Sequence, residues 1–254
     1  IFDHMMLDGL EDAYEPGRSM GTFGEDCAAK YGFTRAEQDA FATASVERAK
    51  AATASGAFAA EITPVTVKSR AGETVVSVDE GPGKVKLDKI ASLKPAFKKD
   101  GTITAASSSS INDGAAALVM MRASTATKLG CKPLARIVGH ATHAQEPEWF
   151  ATAPLGATQK ALAKAGWAVG DVDLWEINEA FAVVPMALMK ELNLPHDKVN
   201  VNGGACALGH PIGASGARIM VTLIYALQAR GLKKGLATLC IGGGEATAVA
   251  VELV

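Results

Sequence analysis

Beyond about residue 102, short uninterrupted apolar runs alternate with helical segments, and no other feature restricts the fold so strongly. Ala115 to Met121 is almost continuously apolar, and Leu134 to Val138, Leu174 to Ile177, Leu236 to Ile241 and Ala246 to Leu253 are further strand candidates. Apolar runs of that length without polar alternation belong to strands covered on both faces. Helix candidates lie between them: Ala157 to Ala165 closed by Gly166, Ala180 to Leu192, and Ala214 to Arg230 closed by Gly231. A glycine just past the last helical residue supplies the left-handed conformation that ends a helix. Buried strands alternating with helices predict a layered α/β core. Asn112 to Val119 and Gly243 to Val249 both place glycine ahead of a small-residue strand, which fits two half-domains of similar design.

The first hundred residues carry more charge and clearer helix starts. Thr22-Phe23-Gly24-Glu25 and Thr34-Arg35-Ala36-Glu37 both fit the capping box, in which hydroxyl and carboxylate satisfy free amides at a helix start. The second opens an alanine-rich helix running to about Ser55 and stopping at Gly56. Ile62 to Val67 and Val75 to Val78 flank Arg70-Ala71-Gly72 and predict a hairpin. A lysine-bearing stretch follows, with Lys84, Lys86, Lys89, Lys94, Lys98 and Lys99. It reads either as a solvated face or as a surface that meets a polyanionic ligand.

Composition narrows the class. With 48% hydrophobic residues, 20% charged residues and a net charge of −2, the 254 residues are too apolar for disorder and too evenly charged for a nucleic-acid arm. Glycine occurs 26 times while aromatics are only 6%, so the core must be built from small aliphatic side chains with backbone close to backbone. No apolar run reaches the ~18 residues of a membrane span. The cysteines at 27, 131, 206 and 240 form no C-x-x-C pair and do not resemble a secreted disulfide framework, which predicts a reducing, cytoplasmic setting. Ile1 to Leu10 mixes charges with apolar residues, unlike a signal peptide. It reads as the middle of an amphipathic segment, and the expectation is a piece of something longer.

Three segments carry candidate chemistry. In Trp175-Glu176-Ile177-Asn178-Glu179-Ala180-Phe181-Ala182 an apolar strand runs straight into polar residues and then a helix. Polar groups at the carboxyl end of a buried strand lie where α/β proteins place ligands, although Asn178 and Glu179 also suit a helix cap. Asn200 to Arg218 is a small-residue loop in which His210 stands between Gly209 and Pro211. It is neither a Walker A loop nor G-x-G-x-x-G, and its histidine is either structural or catalytic. Leu239-Cys240-Ile241-Gly242-Gly243-Gly244-Glu245 ends a buried strand in a cysteine followed by three glycines. The cysteine is either an inert core residue or a reactive one beside free amides of the oxyanion-hole type.

Together these segments resemble the C-terminal part of a thiolase of the biosynthetic, acetyl-CoA acetyltransferase type. The similar pieces are Asn178-Glu179-Ala180-Phe181, Gly209-His210-Pro211-Ile212-Gly213-Ala214-Ser215-Gly216 and Cys240-Ile241-Gly242-Gly243-Gly244. Upstream, Asp8-Gly9-Leu10, Ser19-Met20-Gly21-Thr22, Lys94-Pro95-Ala96-Phe97 and Thr104-Ala105 through Asn112-Asp113-Gly114 are similar in the same order. The resemblance spans essentially the whole chain and implies a layered α/β/α half-domain, with a mixed five-stranded sheet and helices, plus an α+β loop domain. It divides the chain into a CoA-binding loop domain at 1–105, a closing strand and helix of the N-terminal half at 106–130, and the C-terminal half-domain at 131–254. About a third of such a protein, including the segment with the acyl-accepting cysteine, is expected to be absent.

The implied reaction joins two acetyl-CoA into acetoacetyl-CoA and CoA, or reverses this. By resemblance Cys240 is the base and acid, a role that requires its thiol pKa to be lowered. His210 activates the nucleophile and donates to the thioester oxygen, Asn178 holds a water as the second donor, and the Gly242 N–H helps bind the oxyanion on the acylated cysteine. Leu10, Met20 and Phe97 would line the pantetheine tunnel, with Ala105 and Ser109 beside it and Ala180 and Phe181 at the acyl end. Coenzyme A is then substrate and product, with no other cofactor, no metal, no nucleic acid and no membrane. The expected partners are the missing N-terminal segment and further copies of the protein, as a dimer or tetramer. Two other readings stand beside this one: a non-catalytic CoA- or acyl-CoA-binding fragment, and a ketoacyl synthase relative, which the Cys240 motif disfavours. His140 and His143 are three apart, a spacing loosely compatible with metal that thiolase chemistry does not need.

Overall fold

A left-handed glycine or asparagine ends most α-helices in the computed structural model, which describes residues 1–254. Helix α1 spans Met20–Tyr31 and α2 spans Arg35–Ser55. At the start of α2, Thr34 Oγ1 accepts from Glu37 N, and Glu37 Oε2 accepts from Thr34 N at 2.7 Å, completing the expected capping box. Gly56 closes α2 with φ +76°. The box expected at Thr22 does not form, because α1 has already begun at Met20 and Thr22 donates back to the Ser19 carbonyl. Glu25 is instead buried and accepts the amides of Thr102 and Ile103, both at 2.9 Å, clamping that segment onto α1.

The hairpin pairs β1 (Val65–Ser69) with β2 (Gly72–Val76), exposed on both faces. The one-turn helix α3 (Gly81–Lys84) and helix α4 (Ala123–Leu129) follow, then β3 (Ala135–Ala144), α5 (Ala153–Ala165), β4 (Leu174–Ile177), α6 (Val183–Leu192), the short α7 (Ala205–Leu208), α8 (Ser215–Arg230), β5 (Lys234–Ile241) and β6 (Glu245–Leu253). The main sheet has the order β3-β6-β5-β4, with β4 parallel to β5 and the other pairs antiparallel. One face carries Leu236, Cys240, Ala246, Ala248 and Ala250 into a core shared with α1, α5 and α6; the other packs Leu174, Ala237 and Val251 against Ile219, Leu223 and Leu227 of α8. Helices approach closely where strand glycines permit: a Cβ on Gly139 would meet the Ala161 carbonyl, and one on Gly235 would meet Leu223. No helix is long and apolar enough to cross a membrane.

The layered α/β arrangement matches the expectation, but four strands form ladders rather than five. Next to β4 the fifth position is held by a single parallel bridge, Trp175 to Val199. There Asn200 replaces a strand. Its Oδ1 accepts from Ile177 N and its Nδ2 donates to Ile177 O, each at 2.8 Å, while its backbone turns at φ +48°. Ala115–Met121 is a second departure. It pairs with no strand and lies open, with Val119 88% exposed. The apolar pattern was that of a covered strand, and no strand of residues 1–254 covers it. Helix α6 starts three residues later than the sequence suggests, because residues 178–182 bend to meet 107–109.

The Asn200 side chain therefore carries the sheet edge at Ile177, beside the Trp175–Val199 bridge. Asn200→Ala should cost about 3 kcal/mol, from orphaned buried groups and from alanine at positive φ. Denaturant unfolding of both proteins measures it, and a loss below about 1 kcal/mol would contradict the role.

Candidate active site

The carboxyl ends of β4 and β5 set the candidate groups side by side. Asn178 N donates to Thr238 O at 3.0 Å, and Cys240 follows two residues further along β5. Asn178 is buried and caps nothing, since α6 begins after Ala182 without a side-chain cap. Its Nδ2 lies 3.5 Å from His210 Nε2, and its Oδ1 is buried with no partner. An amide oxygen left open in such a place needs a polar occupant, a water or a ligand atom.

His210 reaches Asn178 because its loop is backed from the other side. His210 N donates to Ser110 O, Ile111 bridges to His210, and Gly209 at φ +82° leaves room for the Asn112 side chain. His210 Nδ1 lies 2.5 Å from Ser215 Oγ. Burial, with help from the Arg218 charge, holds the imidazole pKa below its ordinary value, so the ring is neutral at neutral pH. Arg218 itself stands 3.8 Å from Glu176, which is fully buried on β4. Burial pushes Glu176 up to about 8, and pushes Glu61, which accepts from Thr222 Oγ1, up to about 7.

Cys240 pairs with Ala246 and sits in the core shared with Phe23, Cys27, Phe150 and Phe181. Its pKa runs opposite to the expectation. Burial pushes the thiol up to about 12, with a further push from Cys27 and a partial offset from a backbone hydrogen bond. The reason is physical: no cation is among the influences on the sulfur, so that one backbone hydrogen bond is all that offsets the desolvation of the thiolate. Gly242 opens the turn to β6, and a Cβ there would lie 3.4 Å from Met20 Sδ.

The candidate binding residues are largely brought together. Phe97 covers Gly21 so closely that a Cβ there would enter its ring, and it meets Phe181 edge-on with centroids 5.7 Å apart. Ser109 N and Oγ both donate to Ala180 O, at 3.0 and 3.1 Å, and Ser108 bridges to Phe181. Thus Met20, Phe97, Ser109, Ala180 and Phe181 share one neighbourhood. Leu10 closes the π-helical turn Met6–Leu10, whose Gly9 approaches Ile212 of the histidine loop. Ala105 is exposed in the turn that Thr104 and Ser107 hold. Lys84, Lys89 and Lys98 pair with Glu80, Asp88 and Asp26. His143 contacts Gln145 and Lys160, and no three potential metal ligands gather anywhere in the chain.

Sequence reasoning missed Glu179. It serves neither cap nor dipole: fully buried, it accepts from Ser45 Oγ, Asn200 Nδ2 and Cys206 N at 2.7, 2.8 and 3.0 Å. The Gly203-Gly204 pair was its only signal, since a Cβ on Gly204 would overlap the carboxylate.

The family model described as Thiolase, N-terminal domain, matches residues 1–124, and that described as Thiolase, C-terminal domain, matches 131–253. The chain is 54% identical over 254 residues to the acetyl-CoA acetyltransferase of Chromobacterium violaceum, covering 99% of itself and 64% of that protein. It is 51% identical to the acetyl-CoA acetyltransferase of Paracoccus denitrificans, with the same coverages. Among solved structures, it superposes on the Bacillus anthracis acetyl-CoA acetyltransferase with a TM-score of 0.93 at 46% identity, covering 96% of itself and 62% of that chain. For the human mitochondrial 3-ketoacyl-CoA thiolase the TM-score is 0.89 at 39% identity, with the same coverages. The chain thus spans about 64% of the length of those curated relatives.

Two outcomes follow from the electrostatics. Alkylation of Cys240 by iodoacetamide, read by peptide mass spectrometry, should rise about tenfold per pH unit from pH 7 to 10 without levelling, because the reactive thiolate is a small, growing fraction. Levelling near pH 8 would show a lowered pKa. Glu176 binds its proton more tightly when folded, so its stabilising contribution is full below about pH 4.5 and fades as pH rises through 8. Glu176→Gln should remove part of that decline, on the order of 3 kcal/mol by pH 9, in thermal unfolding followed against pH.

Proposed function

The chain belongs to the thiolase family, and from that premise we propose that it carries the acid–base and oxyanion half of an acetyl-CoA acetyltransferase. The reaction is Claisen condensation of two acetyl-CoA to acetoacetyl-CoA and CoA, or the reverse thiolysis. The observation carrying this reading is the meeting of Asn178 Nδ2 with His210 Nε2 beside the unpartnered Asn178 Oδ1. That geometry suits a water bound to Asn178 and a thioester oxygen received by water and imidazole together. Coenzyme A is substrate and product, and no cofactor or metal is invoked.

In this reading the neutral His210 takes the proton of the acyl-accepting cysteine, whose thiolate attacks acetyl-CoA. In this reading that thiol belongs to the upstream segment that the resemblance implies, and the side-chain partners of His210 within these residues are Asn178 and Ser215. The departing CoA thiolate takes the Cys240 proton, which leaves Cys240 as a thiolate. Cys240 then removes the α-proton of the second acetyl-CoA, and the carbanion attacks the acyl-enzyme while the Gly242 amide helps bind its oxyanion. A thiol stored protonated suits this order, and it equally supplies the proton needed for thiolysis. Met20, Phe97, Phe181, Ala180, Ser109, Ala105 and Leu10 would line the path of pantetheine and acyl group. The exposed run Ala115–Met121 would be covered by the upstream segment, and a cytoplasmic homo-oligomer completes the reading. A chain that binds CoA without turnover is the second reading, favoured by the absence of a Cys-Ala-Ser-Gly-like setting around any of the four cysteines.

Single-turnover acylation with labelled acetyl-CoA, run beside acetoacetyl-CoA production in the protein supplied with the upstream segment, tests the roles. His210→Ala should abolish both steps. Asn178→Ala should spare acylation and lower condensation by ~10–10³. Cys240→Ser should lose condensation far more than acylation, because a CoA thiolate of pKa ~8.5 can leave without a donor. Equal loss of both steps in Cys240→Ser would remove Cys240 from the proton-transfer role. The isolated chain should show no turnover.

A further inference from the structure

Helix α8 presents Ser215, Arg218 and Thr222 along one face, and each meets a polar group from a different segment: His210, Glu176 and Glu61. Ser215 is completely buried at the first turn of that helix. Its hydroxyl can donate only once; because Asn178 Nδ2, a donor, faces Nε2 and calls for an acceptor there, the Ser215 proton is assigned to the Pro211 carbonyl at 3.1 Å. Toward His210 Nδ1, 2.5 Å away, the same oxygen is therefore an acceptor. An acceptor at Nδ1 requires the ring proton there, which leaves the lone pair on Nε2, the nitrogen beside Asn178.

We propose that Ser215 is a positioning residue: through the Pro211–Ser215–His210 relay it holds His210 in the Nδ1–H tautomer, so that Nε2 is the proton acceptor. The proposal rests on the thiolase reading only for its consequence. In that reading Nε2 takes the thiol proton of the acyl-accepting cysteine, the cysteine becomes a thiolate, and the imidazolium keeps its Nδ1–H on Ser215 throughout. No proton moves to Ser215. The ring then donates from Nε2 to the thioester oxygen without turning, because its other edge never loses its partner. Pro211 contributes by geometry: it leads the chain into α8, and its carbonyl fixes the direction of the Ser215 hydroxyl.

The tautomer is measurable without turnover. In the protein labelled with 15N, long-range 1H–15N correlation of the histidine rings distinguishes a protonated from a bare Nδ1, and His210→Gln identifies the resonances. The wild-type ring should show a protonated Nδ1 and a bare Nε2 at pH 7.5. The reverse pattern overturns the proposal with no variant needed. Ser215→Ala should lower the ratio of Nδ1–H to Nε2–H by about tenfold, the worth of one hydrogen bond. Ser215→Thr, which keeps the hydroxyl, should restore it. An unchanged ratio in a folded Ser215→Ala overturns the relay. In the protein supplied with its upstream segment, Ser215→Ala should slow acylation by about the same factor, with the KM for acetyl-CoA unmoved. An acylation rate unchanged despite a shifted tautomer would leave the relay standing and count against His210 as activator.

Discussion

A single buried carboxylate, Glu179, organises the junction on which the site depends. A buried carboxyl group must be matched by hydrogen-bond donors, and three arrive from different parts of the chain: the Ser45 hydroxyl on α2, the Asn200 amide and the Cys206 amide. Ser45 also accepts from Gly204 N, so the same knot ties α2 to the loop leading to His210. Asn200 in turn holds Ile177, the last residue of β4 and the neighbour of Asn178. Glycine at 203 and 204 is what allows α2 and the carboxylate to come so close. The cleft residues are thus positioned by a polar bond set as much as by apolar packing.

A second polar system lies behind the first. Glu61 and Glu176 face one arginine, Arg218, with Arg230 a weaker influence on Glu176. Burial raises the proton affinity of both carboxyls, and the single guanidinium offsets only part of that cost. Because Glu61 belongs to the segment after α2 and Glu176 to the sheet, this arrangement links the two main parts of the chain. It also sets the field at His210, since Arg218 is the charge that disfavours a protonated imidazole.

Much of this was legible in the sequence, and the gaps have physical causes. The Thr34 box and the stop at Gly56 were readable because capping is local. Leu174–Ile177 was readable because both faces of β4 are buried. The Thr22 box failed because Glu25 had a stronger, distant use in binding the amides of Thr102 and Ile103. Ala115–Met121 looked like a covered strand because apolar composition alone carries that signal, whereas here the run pairs with no strand and lies exposed. The environment of Cys240 could not be read at all: a thiol's pKa depends on neighbours brought in by folding, and these are Phe23 and Cys27 from α1 and Phe181 from the bend after β4. Glu179 was hidden for a related reason, because its partners lie far away along the chain. The motif around His210 did point to its place beside Asn178, yet the role of Ser215 emerged only from two distances.

The setting of Cys240 has an evolutionary side. Its strand is laddered to β4 as far as Thr238 and to β6 through Cys240 itself, so the sulfur's position is fixed by main-chain bonds that are indifferent to side-chain identity. The residues around the cleft are not held this way. Phe97 and Met20 belong to segments outside the sheet, and Phe181 lies in a bend. Substitution among them would reshape the surroundings of Cys240 while its sulfur stays in register. Under the proposed function, a scaffold divided in this manner lets substrate preference drift by ordinary point mutation, with the chemistry inherited unchanged.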